Sequence, residues 1–407
     1  MSELKPENTQ LESAEIAAIR ALLRGFTSIS EELTILRLVA TLTAEQLNEL
    51  CHDTPLIDEL LDSIDNHLGA KPYSDQLLEL FTEKRSADLD LPSRANLLHA
   101  IQRHLSGHSA ERATELTLCA ATGKELSALK NLIDATSDHF DLERLVFHFI
   151  TNKAVRRRIL EHIANEATKV KGSEIKILTD FDDTAVATLN DELHPTGSVY
   201  PGVVEFWTAL DAGPTNTPLS LGDLVVVTAR PTAMLGLVEK RLHQHLHDIG
   251  MSGASVLTGS LAAVFSDVGM SKQKLAVVEH LAELFPEYEL VFIGDSGQGD
   301  VYVAEQLYKQ FGERIKGVFI HDVSLPPDEI SPPKYDRGAL AAKGIYFFDT
   351  YAGAASKASK LGLISTTGLT AVLTAVKTGY AALQWQNTQQ KAVLLELLKR
   401  ELLEMEL

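Results

Sequence analysis

The feature that most constrains the fold is a change in hydrophobic pattern at Gly172-Ser173. From Leu11 to about Lys171, apolar residues recur at three- and four-residue spacings, which is typical of helices that bury one face. From there to about Asp349, short apolar runs alternate with helical stretches. Because strands that alternate with helices form parallel sheets covered on both faces, the sequence predicts an α/β domain preceded by an all-α domain.

The boundaries of the individual elements follow from the same pattern. Six apolar runs are predicted as strands: Ile175–Asp180, Asp223–Ala229, Ala254–Leu257, Glu289–Asp295, Lys316–His321 and Ile345–Asp349. Four helical patterns lie between them: Pro201–Leu210, Met234–His247, Lys272–Leu284 and Asp300–Phe311. In the helical half, Thr43 with Gln46 and Thr122 with Glu125 form capping-box patterns, and Thr54-Pro55 predicts an N-cap followed by a first-turn proline.

We predict four segments along the chain. Residues 1–10 are expected to be disordered, 11–171 to form the all-helical domain, 172–350 the α/β domain, and 351–407 C-terminal helices that pack on it. The most apolar long window, Leu361–Leu383, contains Lys377 and many Thr, Ser and Gly residues, so it predicts a partly buried helix rather than a membrane span.

Charge and cysteine content narrow the class of protein. The formal net charge of −19 argues against nucleic-acid binding and against attraction to anionic membranes. Cys51 and Cys119 lie in separate helical patterns without a CxxC motif, which predicts reduced thiols in a cytosolic protein. The first residues, MSELKPENTQ, contain no apolar signal core. We therefore expect a cytoplasmic protein without a transmembrane segment.

Polar residues suited to chemistry follow the predicted strands. They are Asp180, Asp182 and Asp183 after the first strand, Thr228 and Arg230 at the end of the second, Lys272 and Lys274 on a helix that starts near Ser271, and Asp295 to Asp300 in the run GDSGQGD. Separately, each has an ordinary explanation as an acidic turn, a β-branched strand residue or a solvated lysine. Because parallel strands bring their carboxyl ends together, we expect all of these groups to crowd into one crevice.

This set of residues suits phosphoryl transfer. A carboxylate can attack phosphorus to form an aspartyl-phosphate, and a second carboxylate two residues later can protonate the leaving oxygen. Mg²⁺ prefers oxygen ligands, so Asp180 and Asp295 with a backbone carbonyl would suffice to bind it. A threonine hydroxyl and a lysine ammonium can hold the phosphoryl oxygens. No GxxxxGK[ST] motif occurs, so the P-loop is excluded.

Four motifs resemble a known family. DFDDT, the strand-end threonine, the helix lysine and GDSGQGD resemble the motifs of the haloacid dehalogenase superfamily, whose fold is Rossmann-like. More narrowly, TDFDDT, VVTARP, KLAVVEHLAELFP and FIGDSGQGD resemble the catalytic domain of the fungal actin-patch phosphatidate phosphatases and their bacterial and plant relatives. The resemblance covers roughly Ile175–Asp349. It implies an Mg²⁺-dependent phosphatase of lipid metabolism, acting on a phosphate ester such as phosphatidate at a membrane surface.

The resemblance also implies a role for each matching residue. Asp180 would be the nucleophile and a metal ligand, and Asp182 the general acid/base that lends its carbonyl to the metal. Asp295 would bind the metal, and Asp300 would support it or its waters. The remaining roles fall to Thr228 for the phosphoryl group, Lys274 for Asp180 and the phosphate, and Arg230 and Ser296 for the substrate. The spacing to Phe285 favours Lys274 over Lys272 as the motif lysine.

The sequence departs from the family pattern at two places, and it leaves two alternative functions open. Gly299-Asp300-Val301 replaces the charged residue, Asp and Pro that usually follow GDSGQ, and the short stretch Ala185–Tyr200 leaves room only for a small cap. The same fold could serve a phosphatase of a soluble metabolite or phosphoprotein. Alternatively, the chain could be a non-catalytic interaction protein whose helical domain binds a partner that the sequence does not identify.

Overall fold

The computed structural model describes residues 12–64, 73–135, 141–170, 174–188, 190–215, 224–231, 255–259, 267–297, 299–324, 334–385 and 387–405. The chain divides into two compact units. The helical unit comprises Met1–Ile133 and Arg144–Glu166, and the α/β unit comprises Asp134–Glu143 and Ala167–Leu407. The predicted disorder of residues 1–10 lies outside the described residues. The assignment of Asp134–Glu143 to the second unit is a feature that the hydrophobic pattern did not indicate.

The N-terminal region is helical, as predicted. Its α-helices are α1 Ala14–Leu22, α2 Ile29–Thr41, α3 Ala44–His52, α4 Thr54–Ser63, α5 Tyr73–Glu79, α6 Leu91–His104, α7 His108–Ala120, α8 Gly123–Asp134, α9 Leu142–Arg144 and α10 Lys153–Ala167. Two short π-helical stretches, Leu80–Lys84 and Leu145–Phe149, continue α5 and α9, and a 3₁₀ turn covers Ser86–Asp88. Regularly spaced apolar residues of these helices, such as Ile16 and Ile19, are buried.

Helix starts show how local chemistry sets these boundaries. Thr43 caps α3 as predicted, since its Oγ1 accepts from the Gln46 N–H at 3.2 Å while Gln46 Oε1 accepts from the Thr43 N–H at 2.9 Å. The predicted N-cap Thr54 is wrong by one residue. Asp53 caps α4 instead, accepting from the Leu56 N–H at 3.1 Å. A carboxylate is favoured there because it also complements the positive end of the helix dipole.

The α/β unit is built on one six-stranded parallel sheet, which confirms all six predicted strands. They are β1 Glu174–Thr179, β2 Leu224–Pro231, β3 Ser255–Gly259, β4 Tyr288–Asp295, β5 Ile315–His321 and β6 Ile345–Phe348. The strand order is β3-β2-β1-β4-β5-β6. β2 and β3 lie on one side of β1, whereas β4, β5 and β6 lie on the other side. The direction in which strands are added therefore reverses between β1 and β4, and this reversal opens a crevice at the carboxyl ends of these two strands.

Helices cover the sheet. They are α11 Val203–Ala212, α12 Asp267–Leu284, α13 Asp300–Phe311, α14 Arg337–Ala341, α15 Tyr351–Lys360, α16 Thr366–Ala382 and α17 Thr388–Leu403, with a 3₁₀ turn at Gly312–Arg314. The predicted helix Met234–His247 lies outside the described residues.

One apolar core joins the sheet to several of these helices. It includes Ile177 and Ile293 of the sheet with Trp207 of α11, Val376 of α16 and Leu398 of α17. The window Leu361–Leu383 is thus largely a partly buried helix, α16, as expected. Among the described residues, no helix combines the length and the apolar character needed to cross a bilayer.

Candidate active site

Three carboxylates meet at the crevice between β1 and β4. Asp180 follows β1, Asp295 ends β4 and Asp300 begins α13, and oxygen atoms of all three lie within 4.8 Å of one another. All three side chains are buried, with 3%, 0% and 0% of their surface exposed. Gly294 makes the arrangement possible, because a β-carbon at this position would lie 2.7 Å from the Asp300 β-carbon. We call Asp180, Asp295 and Asp300 the acidic cluster.

A buried lysine completes the cluster. Lys274 Nζ, from the middle of α12, lies 2.9 Å from Asp180 Oδ2 and 2.7 Å from Asp300 Oδ1. Lys272 is exposed. Two residues span about 200° around a helix, so the two lysines face opposite sides. The structure therefore brings Lys274, and not Lys272, to the carboxylates.

The crowding changes the acidity of the cluster. The pKa of Asp180 is raised to about 7, mainly because its carboxylate is buried. Attraction from Lys274 opposes this shift, and repulsion from Asp300 and Asp182 adds to it. Burial and repulsion from Asp300 and Asp180 raise the pKa of Asp295 well above its usual range. The single ammonium of Lys274 does not balance three buried carboxylates, so a further cation would be stabilising here.

The donor set of the acidic cluster fits a hard divalent cation. It offers only carboxylate oxygens, from three buried residues whose ligand atoms lie close enough to share one ion. Oxygen ligands of this kind suit Mg²⁺, Ca²⁺ or Mn²⁺ better than Zn²⁺ or Cu²⁺. The Asp182 side chain is not a member of this group, and its predicted contribution through the backbone carbonyl stays a prediction.

Asp183 differs from the expectation that all the strand-end carboxylates would crowd into one crevice. Its φ of +54° is left-handed, which turns the chain sharply after Asp182. Its carboxylate accepts from the backbone N–H of Thr188 at 2.8 Å and of Asn190 at 2.6 Å, and from Asn190 Nδ2 at 3.0 Å. Asp183 therefore organises the loop that follows it, whereas Asp182, 6% exposed, lies near enough to Asp180 to raise the pKa of that group.

His321 is a buried site residue that the sequence reasoning missed. It is the last residue of β5, and its Nδ1 lies 2.8 Å from the Asp183 carbonyl oxygen. Burial lowers the pKa of His321, so the ring is neutral at neutral pH and Nδ1–H donates to that carbonyl. Its position at the end of a predicted strand was the one available signal, since Asp180 and Asp295 also stand at strand ends.

The remaining predicted residues have different surroundings. Thr228 and Arg230 lie on β2, where Thr228 pairs with Thr258 of β3, and their side chains lie outside what the structure describes. The Ser296 hydroxyl donates to Asp322 Oδ1 at 2.9 Å and accepts from the Val323 N–H at 3.1 Å. Ser296 is 1% exposed and its hydroxyl holds the turn after β5, whereas its predicted contact with substrate stays a prediction.

The fold and the site together define a haloacid dehalogenase-like α/β unit, with a strand-end aspartate, a helix lysine and two further aspartates in the places that the motifs predicted. Residues 175–322 match the family model described as "Phosphatidate phosphatase APP1, catalytic domain". This match confirms the resemblance over that segment, and it supports a phosphatidate phosphatase-like activity. Comparison with curated proteins found no match, and comparison with solved structures found none either.

Proposed function

We propose that the chain is an Mg²⁺-dependent phosphatase that hydrolyses phosphatidate, or a closely similar phosphate ester, through an aspartyl-phosphate on Asp180. The observation that carries the proposal is the buried contact of Asp180 with Lys274, inside a cluster of carboxylates at the crevice. The match of residues 175–322 to a phosphatidate phosphatase catalytic domain supports the choice of substrate class.

Asp180, Asp182 and Lys274 account for both proposed chemical steps. Asp180 attacks phosphorus, a bond forms between its carboxylate oxygen and phosphorus, and the bond to the ester oxygen breaks. Asp182 gives its proton to the departing oxygen and then takes a proton from the water that attacks the aspartyl-phosphate, which releases phosphate and restores Asp180. Lys274 balances charge beside Asp180 throughout, because it is fixed 2.9 Å away.

Bound Mg²⁺ would be held by Asp180, Asp295 and Asp300, with the Asp182 carbonyl as a further ligand, and would neutralise charge on the phosphoryl oxygens. Thr228 and Arg230 end a strand that neighbours β1, a position that supports their proposed contacts with the phosphoryl group and the substrate.

The test compares two lysines on the same helix. Wild-type protein is assayed with phosphatidate in mixed micelles and with a panel of soluble phosphate esters, with Mg²⁺ and with chelator. We expect Mg²⁺-dependent turnover, fastest on phosphatidate. Lys274→Met should lose about 10²–10³-fold in kcat, the usual cost of removing a charge-stabilising donor. Lys272→Met is the matched control and should keep full activity, because Lys272 is exposed.

The outcomes separate the competing functions. Faster turnover of a soluble ester than of phosphatidate would replace the substrate but keep the mechanism. Full activity in chelator would contradict the metal assignment. Turnover of none of these esters would favour a non-catalytic interaction protein.

A further inference from the structure

The loop after Asp183 presents an exposed amide at the edge of the acidic cluster. Asn190 is solvent-exposed, yet both its backbone N–H and its Nδ2 donate to the same oxygen, Asp183 Oδ2. The other oxygen of Asp183 holds Thr188, and the Asp183 carbonyl is held by His321. The Asn190 amide is therefore fixed in place by a buried residue rather than being a mobile surface group.

The turn after β4 lies directly against this amide. A β-carbon added to Gly297 would lie 2.6 Å from Asn190 Nδ2 and 2.9 Å from Asp295 Oδ1. The amide of Asn190 and the Asp295 carboxylate of the acidic cluster thus both lie close to Gly297. Only a glycine fits between them, and the Gly297 N–H donates to Asp295 Oδ1 at 2.6 Å.

The chemistry of the amide suits an anionic ligand. A terminal amide nitrogen carries two N–H donors. One of them is used by Asp183, and no second acceptor for Nδ2 occurs among the described residues. The acidic cluster itself offers no neutral donor of this kind, since its side chains are three carboxylates and one ammonium. A donor at the exposed edge complements oxygen atoms of a phosphate ester that enters from solvent.

We propose that Asn190 is a substrate-contacting residue, which donates an Nδ2 hydrogen bond to an oxygen of the phosphate group, and that Asp183 positions it. The inference rests on the proposed phosphatase function and adds a residue that no motif contains. Because the contact is with the phosphate end of the substrate, its loss is expected to be the same for phosphatidate and for a small ester.

The experiment measures kcat/KM for both substrates, inhibition by inorganic phosphate, and the melting temperature, in wild type, Asn190→Ala and Thr188→Val. Asn190→Ala keeps the backbone hydrogen bond to Asp183 and removes only the amide. We expect its kcat/KM to fall about 10- to 100-fold, the size of one hydrogen bond to a charged oxygen. The inhibition constant of phosphate should rise in parallel, and the melting temperature should fall by about as much as in Thr188→Val, because each variant loses one side-chain hydrogen bond to Asp183.

Thr188→Val is the matched control. It removes the other side-chain hydrogen bond to Asp183, which spans 3.3 Å, without touching Asn190. It should leave kcat/KM and phosphate inhibition near wild type. Equal losses in Thr188→Val and Asn190→Ala would mean that a loosened loop, and not a lost contact, is responsible. An active wild type with an unimpaired Asn190→Ala would overturn this inference alone, whereas an inactive wild type would overturn the proposed function and this inference with it.

Discussion

At the scale of single residues, two adjacent aspartates have opposite surroundings. Asp182 lies beside Asp180, whereas Asp183 is turned into its own loop by a left-handed φ of +54°. Such a conformation costs a residue other than glycine about 1–3 kcal/mol. The hydrogen bonds of Asp183 to Thr188 and Asn190 offset this cost. Asp183 thus organises the loop, whereas Asp182 faces the carboxylate of Asp180 closely enough to affect its pKa.

The proposed roles of Asp180 and Asp182 predict different failures. Asp182→Asn keeps the nucleophile but loses the proton shuttle, which is worth about 10²–10⁴-fold. A nitrophenolate leaves without a proton, so nitrophenyl phosphate should release about one equivalent per site and then stall because no base activates water. Rapid mixing shows the burst, and intact-protein mass spectrometry shows the added phosphate.

Asp180→Asn is the companion variant and should give neither burst nor turnover. A steady rate near wild type in Asp182→Asn would contradict its role as the shuttle. A burst from Asp180→Asn would mean that another aspartate is the nucleophile.

At the scale of elements, the C-terminal helix α17 is tied to the end of β6. Glu401 accepts hydrogen bonds from the Asp349 N–H at 2.7 Å, the Thr350 N–H at 3.0 Å and the Thr350 hydroxyl at 2.6 Å, and so caps the start of α15. Burial and repulsion from Asp349 raise the pKa of Glu401 from 4.5 to about 7. One carboxylate therefore links two helices and a strand.

This raised pKa predicts a pH dependence of stability. Between the unfolded pKa of 4.5 and the folded value of about 7, the folded state binds more protons at Glu401, so its stabilising contribution falls as pH rises. Glu401→Gln removes the titration. We expect the free energy of unfolding of wild type, relative to that of Glu401→Gln, to drop by up to about 3 kcal/mol between pH 4.5 and pH 8. Urea denaturation of both proteins measures it, and a difference that is constant with pH would contradict the raised pKa.

Helices and strands were predictable from the sequence where a local hydrophobic pattern determines their positions. The six strands are short apolar runs, Asp180 and Asp295 stand where two of them end, and Asp300 begins the helix that follows β4. The partners of individual side chains were not predictable in this way. Asp183 and Asp182 are chemically identical in the sequence, and only the loop folded against β5 distinguishes them. Likewise, the hydrogen bond from the Ser296 hydroxyl to Asp322 could not be predicted, because the two residues are 26 positions apart in the sequence.

At the scale of the whole molecule, the sheet, the apolar core described above and the acidic cluster all lie within residues 167–407. The compact α/β unit also includes the short segment Asp134–Glu143. Within this unit, Glu143 Oε1 lies 2.7 Å from His280 Nδ1. The compact unit therefore exceeds the predicted domain, which begins at residue 172, by this segment and by residues 167–171.

Truncation tests the boundary. A chain that begins at Lys169 should fold and retain activity on a small ester, because the apolar core that joins the sheet to α11, α15, α16 and α17 lies beyond that residue. Its melting temperature should be a few degrees below that of a chain beginning at Asp134, since it lacks the His280–Glu143 contact, worth about 1 kcal/mol. Circular dichroism melts and nitrophenyl phosphate assays measure both. If only the longer chain is active, Asp134–Glu143 is part of the catalytic unit.

The central position of β1 has a consequence for how the protein is made. Thr179 pairs with Val226 on one side and Ile293 on the other, so its partners are synthesised 226 − 179 = 47 and 293 − 179 = 114 residues later. At about 5–20 residues per second, the second partner follows after roughly 6–23 seconds. During that interval one edge of the nascent strand has no neighbour and is open to association with other chains. The acidic cluster cannot form until Asp300 has left the ribosome, because Asp180 lacks this partner before then.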